Sequence, residues 1–228
     1  MSPSSSFSQI YDTTNAWKTD SSDSWSVLEL EDNAITKKLT ISMPGRVIHS
    51  YGCDLVKGVK DSTDTRSSVL EDLDCDGTAI AENDDGKTEI VYAELKSTFS
   101  TEELRGALFQ LIMSFAKMHG WFSLCQDYSI ENTPICFVLA CQTFKDNNQE
   151  SFVINLLKNA SIIGQNNFEK KILPRLLNNL GSGCEFKLSE FYSIGRYPFA
   201  QSIKDKKIRI YLVLSDTYGN PECKITLH

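Results

Sequence analysis

The chain is poor in the residues that build most metal and nucleophile centres. Its three histidines, His49, His119 and His228, stand far apart and form no ligand cluster. Its seven cysteines, at positions 53, 75, 125, 136, 141, 184 and 223, include no Cys-x-x-Cys pair, which argues against structural zinc. Several lie inside apolar runs, as Cys136 and Cys141 do, and read as small core side chains in a reducing, cytoplasmic setting. There is no Gly-x-Ser-x-Gly elbow and no glycine-rich phosphate loop, so the common hydrolase and nucleotide-binding patterns are missing. No run of ~18 apolar residues exists to span a membrane. The first residues lack the basic start and apolar centre of a signal peptide. Residues 1–15 read as a flexible polar lead-in, and residues 16–228 as a single domain.

Positive charge is also scarce. The formal net charge is −7, with 23 Lys and Arg against 30 Asp and Glu. From Asn166 onward ten basic residues face six acidic ones, a local +4 that leaves −11 for the rest. The densest basic cluster is Lys204, Lys206, Lys207 and Arg209, on the approach to a strand. Such lysines either guard a sheet edge or, if they lie beside a reaction centre, grip a phosphate backbone.

What is present concentrates between Cys75 and Phe115. Asp76 opens a short apolar strand, and Asn83-Asp84-Asp85-Gly86 is a hairpin turn in which Asp-Gly supplies the positive φ. A second strand then ends in Glu94-Leu95-Lys96. Alternation places Ile90, Tyr92, Glu94 and Lys96 on one face and Val91, Ala93 and Leu95 on the other. Glu94 and Lys96 therefore point the same way, roughly 7 Å apart along the strand, and the hairpin returns Asp76 to their end. Two carboxylates there suit a hard divalent cation, Mg²⁺ or Mn²⁺, whose remaining ligands are water and phosphate oxygen. A lysine beside them can polarise the attacking water or steady the developing charge.

A helix follows. Ser100 and Glu103 form a capping box, and Leu104, Ala107, Leu108, Leu111, Ile112, Phe115 and Met118 make one apolar stripe that is core. Gln110 lies at the edge of that stripe, and Arg105 on another flank, where it either meets a phosphate or is simply solvated.

Other Glu-x-Lys and Asp-x-Lys triplets occur, at Glu169, Glu185, Glu222, Asp85 and Asp205, but only Glu94 has an acidic partner, a hairpin and a following helix. The acidic stretch from Asp72 to Gly77 copies the first half of an EF-hand loop, yet Asn83 stands where the closing glutamate belongs. Asp54 is the rival to Asp76 as the metal aspartate, at a longer spacing from Glu94.

The order Asp76, hairpin, Glu94-Leu95-Lys96, helix resembles the PD-(D/E)XK nuclease superfamily over roughly residues 70–145. The resemblance implies a restriction-endonuclease-like α/β fold: a central mixed β-sheet flanked by helices on both faces, here with an N-terminal β extension. It implies a Mg²⁺- or Mn²⁺-dependent endo- or exonuclease with Asp76, Glu94 and the Leu95 carbonyl on the metal. Lys96 would act on water, and Gln110 would line the site as a glutamine does in several branches. Arg105, Lys204, Lys206 and Lys207 are the candidate phosphate contacts, with DNA favoured over RNA and a role in restriction or phage defence. An upstream glutamate often joins such sites; Glu71, Glu29 and Glu31 are the candidates. The acidic charge implies a protein partner or homo-oligomer. The alternatives are a non-catalytic nuclease-fold subunit serving as a binding or scaffold protein, and an interaction protein whose acidic loop binds a cation incidentally.

Overall fold

The computed structural model describes residues 17–19, 24–52, 54, 74–82, 87–126, 128–163, 168–191, 194 and 197–227. The expected lead-in, Glu71, Asp72 and the turn at 83–86 lie outside them. The chain forms a single mixed α/β domain. Its strands are β1 (Trp17–Thr19), β2 (Ser24–Leu28), β3 (Lys38–Ser42), β4 (Arg46–Tyr51), β5 (Gly77–Glu82), β6 (Thr88–Lys96), β7 (Ile135–Cys141), β8 (Cys184–Lys187), β9 (Lys207–Leu214) and β10 (Glu222–Thr226). Its helices are α1 (Thr101–Phe122), α2 (Asn147–Ile163), α3 (Leu173–Leu177) and α4 (Gln201–Asp205).

Seven strands make the large sheet in the order β1-β4-β5-β6-β7-β9-β8. The β6–β7 and β7–β9 pairs are parallel, and the others are antiparallel. β7 is buried at every position, as its unbroken apolar run predicts for a central strand covered on both faces. The alternation of β6 works as expected: Ile90 and Tyr92 pack under α1 with Phe115 and Leu108, while Val91, Ala93 and Leu95 enter a second core. α1 starts where the sequence places it. Ser100 is extended, with φ −139°, and its Oγ accepts from the Glu103 N–H at 3.1 Å.

One expectation changes here. The helical core residues pack on one face of the large sheet, and the other face is covered by a three-stranded sheet, β10-β3-β2, in place of helices. Trp25, Val27, Leu39, Ile41, Cys223 and Ile225 fill the space between the two sheets. The N-terminal extension is therefore a structural layer, completed by parallel pairing of β10 with β3. Small residues on the facing strands (Gly77, Ala79, Ala81, Ala93 and Ala140) fit this close approach of sheet to sheet. A Cβ added at Gly77 would stand 2.7 Å from a Val27 methyl.

Candidate active site

The β5–β6 register pairs Gly77 with Ala93, so Asp76, one residue before β5, meets Glu94. Each carboxylate accepts a backbone N–H from the opposite strand segment. The Asp76 N–H donates to Glu94 Oε2 at 3.2 Å, and the Leu95 N–H donates to Asp76 Oδ2 at 2.6 Å. Lys96 Nζ lies 2.7 Å from Glu94 Oε1 and donates to Gln110 Oε1 at 2.9 Å. Asp76, Glu94, Lys96 and Gln110 thus converge at the C-terminal end of β6, under the first half of α1. Asp54, the rival aspartate, stands exposed past β4.

Burial sets the electrostatics. Glu94 is 1% exposed. Loss of solvent, reinforced by Asp76, pushes its carboxyl up to about 8 even though Lys96 pulls the other way. Asp76 is raised to about 6, again mainly by burial, with the Leu95 N–H opposing and Glu29 and Glu31 adding repulsion. Burial also works against the Lys96 ammonium, but Glu94 and Asp76 outweigh it and hold its pKa above the usual value. One ammonium thus under-compensates two buried carboxylates. A hard cation would relieve that deficit, and the oxygen donors of Asp76 and Glu94 suit Mg²⁺ or Mn²⁺. Among the described residues no group of three or more His, Cys, Asp or Glu is placed to hold a metal ion, so a cation beside Asp76 and Glu94 would need the Leu95 carbonyl, water or substrate as further ligands.

The β2–β3 loop covers the end of β6. Thr36 Oγ1 donates to the Lys96 carbonyl at 2.9 Å, and the Ile35 N–H donates to Ser97 Oγ at 2.7 Å. This loop brings Glu29 and Glu31 within electrostatic reach of Asp76. Both are distant from Asp76 in sequence, and only the small sheet explains their approach. Sequence puts Ser114 and Lys117 on the same edge of α1 as Gln110 and Asp74 in the acidic stretch, but assigns none of the three a role in the site. Ser114 accepts from the Cys75 N–H at 2.8 Å, and Lys117 binds the Asp74 carboxylate. The available signal was helical spacing, since 110, 114 and 117 share one face of α1.

The expected phosphate contacts do not join the site. Arg105 is exposed in the first turns of α1, on a different face from Gln110. Lys206 and Lys207 sit at the start of β9, which runs parallel to β6 through β7. They therefore lie at the opposite end of the sheet, about 20 Å from Glu94 at the usual rise per residue. Lys206 is 8% exposed. Its ammonium donates to the carbonyls of Ile130 at 2.5 Å and Thr133 at 2.7 Å, a structural task. Lys207 pairs with Glu185 at 2.9 Å. Lys204 is half-buried in α4, at the same end. A groove of about 470 Å³ at that end carries both signs of charge, including Lys87, Glu89, Glu131, Glu185 and Arg209, so it is no basic track. Among the described residues no helix is long and apolar enough to cross a membrane.

Comparison with known proteins finds no family model that matches the chain, and no match among curated proteins or solved structures.

Proposed function

We propose that this protein is a metal-dependent phosphodiesterase of the PD-(D/E)XK type, a nuclease acting on DNA. The observation that carries the reading is the convergence of Asp76, Glu94, Lys96 and Gln110, each within hydrogen-bond or ion-pair distance of another, at one end of β6. Asp76 and Glu94 would hold Mg²⁺ or Mn²⁺, with the Leu95 carbonyl as a further oxygen donor. When bound, the ion supplies a Lewis acid for phosphate and a water of lowered pKa. Lys96, held by Glu94 and Gln110, would steady a water or phosphate oxygen as it gains negative charge. Gln110 keeps that ammonium in place through its carbonyl oxygen. The Asp76 N–H on Glu94 and the Leu95 N–H on Asp76 fix both carboxylates before substrate arrives, which reduces reorganisation during reaction.

A scaffold role is the second reading, a nuclease-fold subunit that binds without cutting. The lysine cluster favours it, because Lys206 is committed to the Ile130 and Thr133 carbonyls and Lys207 to Glu185, at the end of the sheet away from Glu94. Under the nuclease reading, that grip comes from a partner chain or a second copy. Restriction or phage defence is the setting proposed for either role.

Incubating the purified chain with circular DNA, linear DNA and RNA, in Mg²⁺ or Mn²⁺, tests the proposal. Glu94→Gln and Lys96→Ala serve as controls. Metal-dependent products that vanish in both variants support it. No cleavage of any substrate, or cleavage that survives in both variants, removes the nuclease assignment.

A further inference from the structure

Asp76 precedes the first ladder residue of β5, Gly77, and a single backbone bond past that ladder, from the Gly52 N–H to the Asp76 carbonyl at 3.3 Å, ties it to the end of β4. Its position depends on what anchors residues 74–76, and two of the anchors come from α1. Ser114 Oγ accepts the Cys75 N–H at 2.8 Å, and its hydroxyl also meets the Cys75 thiol. One turn further on, Lys117 binds the Asp74 carboxylate, with the lysine side chain 12% exposed and the aspartate 22%. One turn earlier, Gln110 takes Lys96 at 2.9 Å. The helix thus reaches both strands of the site from a single face, at positions 110, 114 and 117.

Ser114 is the most telling of the three. It has no solvent exposure, and its neighbours along the helix, Leu111, Met113, Phe115 and Met118, are all buried apolar side chains. A hydroxyl in such a setting is unfavourable unless it meets a demand. Here the demand is the amide of Cys75, itself 2% exposed, which would otherwise be a buried donor without an acceptor. Serine satisfies it at the residue directly before Asp76.

Resting on the metal-site reading above, we propose that α1 clamps the segment carrying the metal aspartate, with Ser114 and Lys117 as positioning residues that set Asp76 opposite Glu94. Neither touches the metal or the substrate. Each acts through the backbone or side chain of a residue beside Asp76. Groups of this kind, outside the ligand shell, commonly change metal affinity by about tenfold or more when removed.

The test is Mn²⁺ affinity, measured calorimetrically on the full-length chain, for the wild type, Ser114→Ala, Lys117→Met and Ser123→Ala. The last removes a hydroxyl that only bonds the Gly120 carbonyl at the end of α1. The expected result is a loss of about tenfold in Ser114→Ala, a smaller loss in Lys117→Met, and none in Ser123→Ala. A purely structural serine would lower the melting temperature and leave the Mn²⁺ affinity of the folded protein unchanged, and that outcome overturns the clamp. If Ser114→Ala does not fold, Lys117→Met decides alone, and wild-type affinity in it overturns the proposal. A wild-type chain that binds no Mn²⁺ fails at the metal site itself and takes the clamp with it. A wild type that binds while both variants match it leaves the metal site standing and removes only the clamp.

Discussion

Replacing Glu94 with Gln should change how the stability of the metal-free protein depends on pH, and the sign follows from burial. An unfolded glutamate loses its proton near 4.5, whereas the folded Glu94 carboxyl is pushed up to about 8. Because the folded pKa is the higher one, its stabilising contribution is complete below 4.5 and is lost as the pH rises through 8. In that window the native state holds one proton more than the unfolded state. The slope is therefore about −1.4 kcal/mol per pH unit, tapering as the folded group titrates. Between pH 6 and pH 8 this amounts to about 2 kcal/mol. Glu94→Gln cannot titrate, so its stability should be flatter by that amount over the same interval. Its absolute level is less telling, since an amide that keeps the Asp76 N–H no longer offers a charge to Lys96. Urea denaturation at pH 6, 7 and 8 in the presence of a chelator measures both slopes. Parallel slopes would mean that Glu94 is already ionised at pH 6, and that Lys96 outweighs burial. Wild-type protein at neutral pH should also release close to one proton on binding Mn²⁺, and the variant less. Calorimetry in two buffers of different ionisation enthalpy reads that number.

Glu94→Ala should lose stability as well as activity, because Glu94 is buried and its truncation strands the Asp76 N–H and leaves the Lys96 ammonium with Gln110 but no carboxylate partner; urea midpoints beside cleavage rates separate the two losses. Lys206→Met should cost about 2–3 kcal/mol in urea denaturation, since it leaves the Ile130 and Thr133 carbonyls without their donor. The pair Lys204→Ala and Lys207→Ala should leave both DNA affinity and its salt slope unchanged in fluorescence anisotropy, because those residues lie at the wrong end of the sheet; a flatter slope would restore them as phosphate contacts. Gly77→Ala should cost about 1–3 kcal/mol by forcing β5 away from Val27, and should weaken Mn²⁺ binding because Asp76 moves with it.

Much of the fold was legible because its main elements carry strong local signals. The capping residue Ser100, the apolar stripe of α1, the alternation of β6 and the unbroken run of β7 each predict what forms. β1 and β10 carry no such signal, and they are three and five residues long. Glu222-Cys-Lys224 was set aside as a terminal decoy, and it forms β10 by parallel pairing with β3, a partner far away in sequence. Nothing in five residues announces such a pairing. The same cause hid the second sheet: helices were expected on both faces, and the small residues facing the sheet were the only hint that another sheet packs there.

The candidate site divides along the same line. Asp76, Glu94 and Lys96 were readable because one hairpin and one alternation bring them together, and Gln110 followed from the helix that comes next. Lys204, Lys206 and Lys207 were misplaced for a topological reason. A basic run before a strand says nothing about which end of the sheet it will occupy until the direction of that strand is known. Because β9 runs parallel to β6, residues before β9 must lie level with the start of β6, and Glu94 sits near its end. Charge in the sequence therefore identified a cluster without giving its position. Glu29 and Glu31 show the converse. They arrive at Asp76 only because β2 and β3 lay a second sheet over the first, and their repulsion adds to the burial that holds the Asp76 carboxyl high. Around the Asp76 and Glu94 carboxylates the described residues gather further acid, Glu29 and Glu31, against the Lys96 ammonium, while the densest basic cluster stands at the far end of the sheet. A site so arranged favours a divalent cation over a bare phosphate, and under the nuclease proposal it leaves capture of the polyanion to whatever brings positive charge to the mouth of β6.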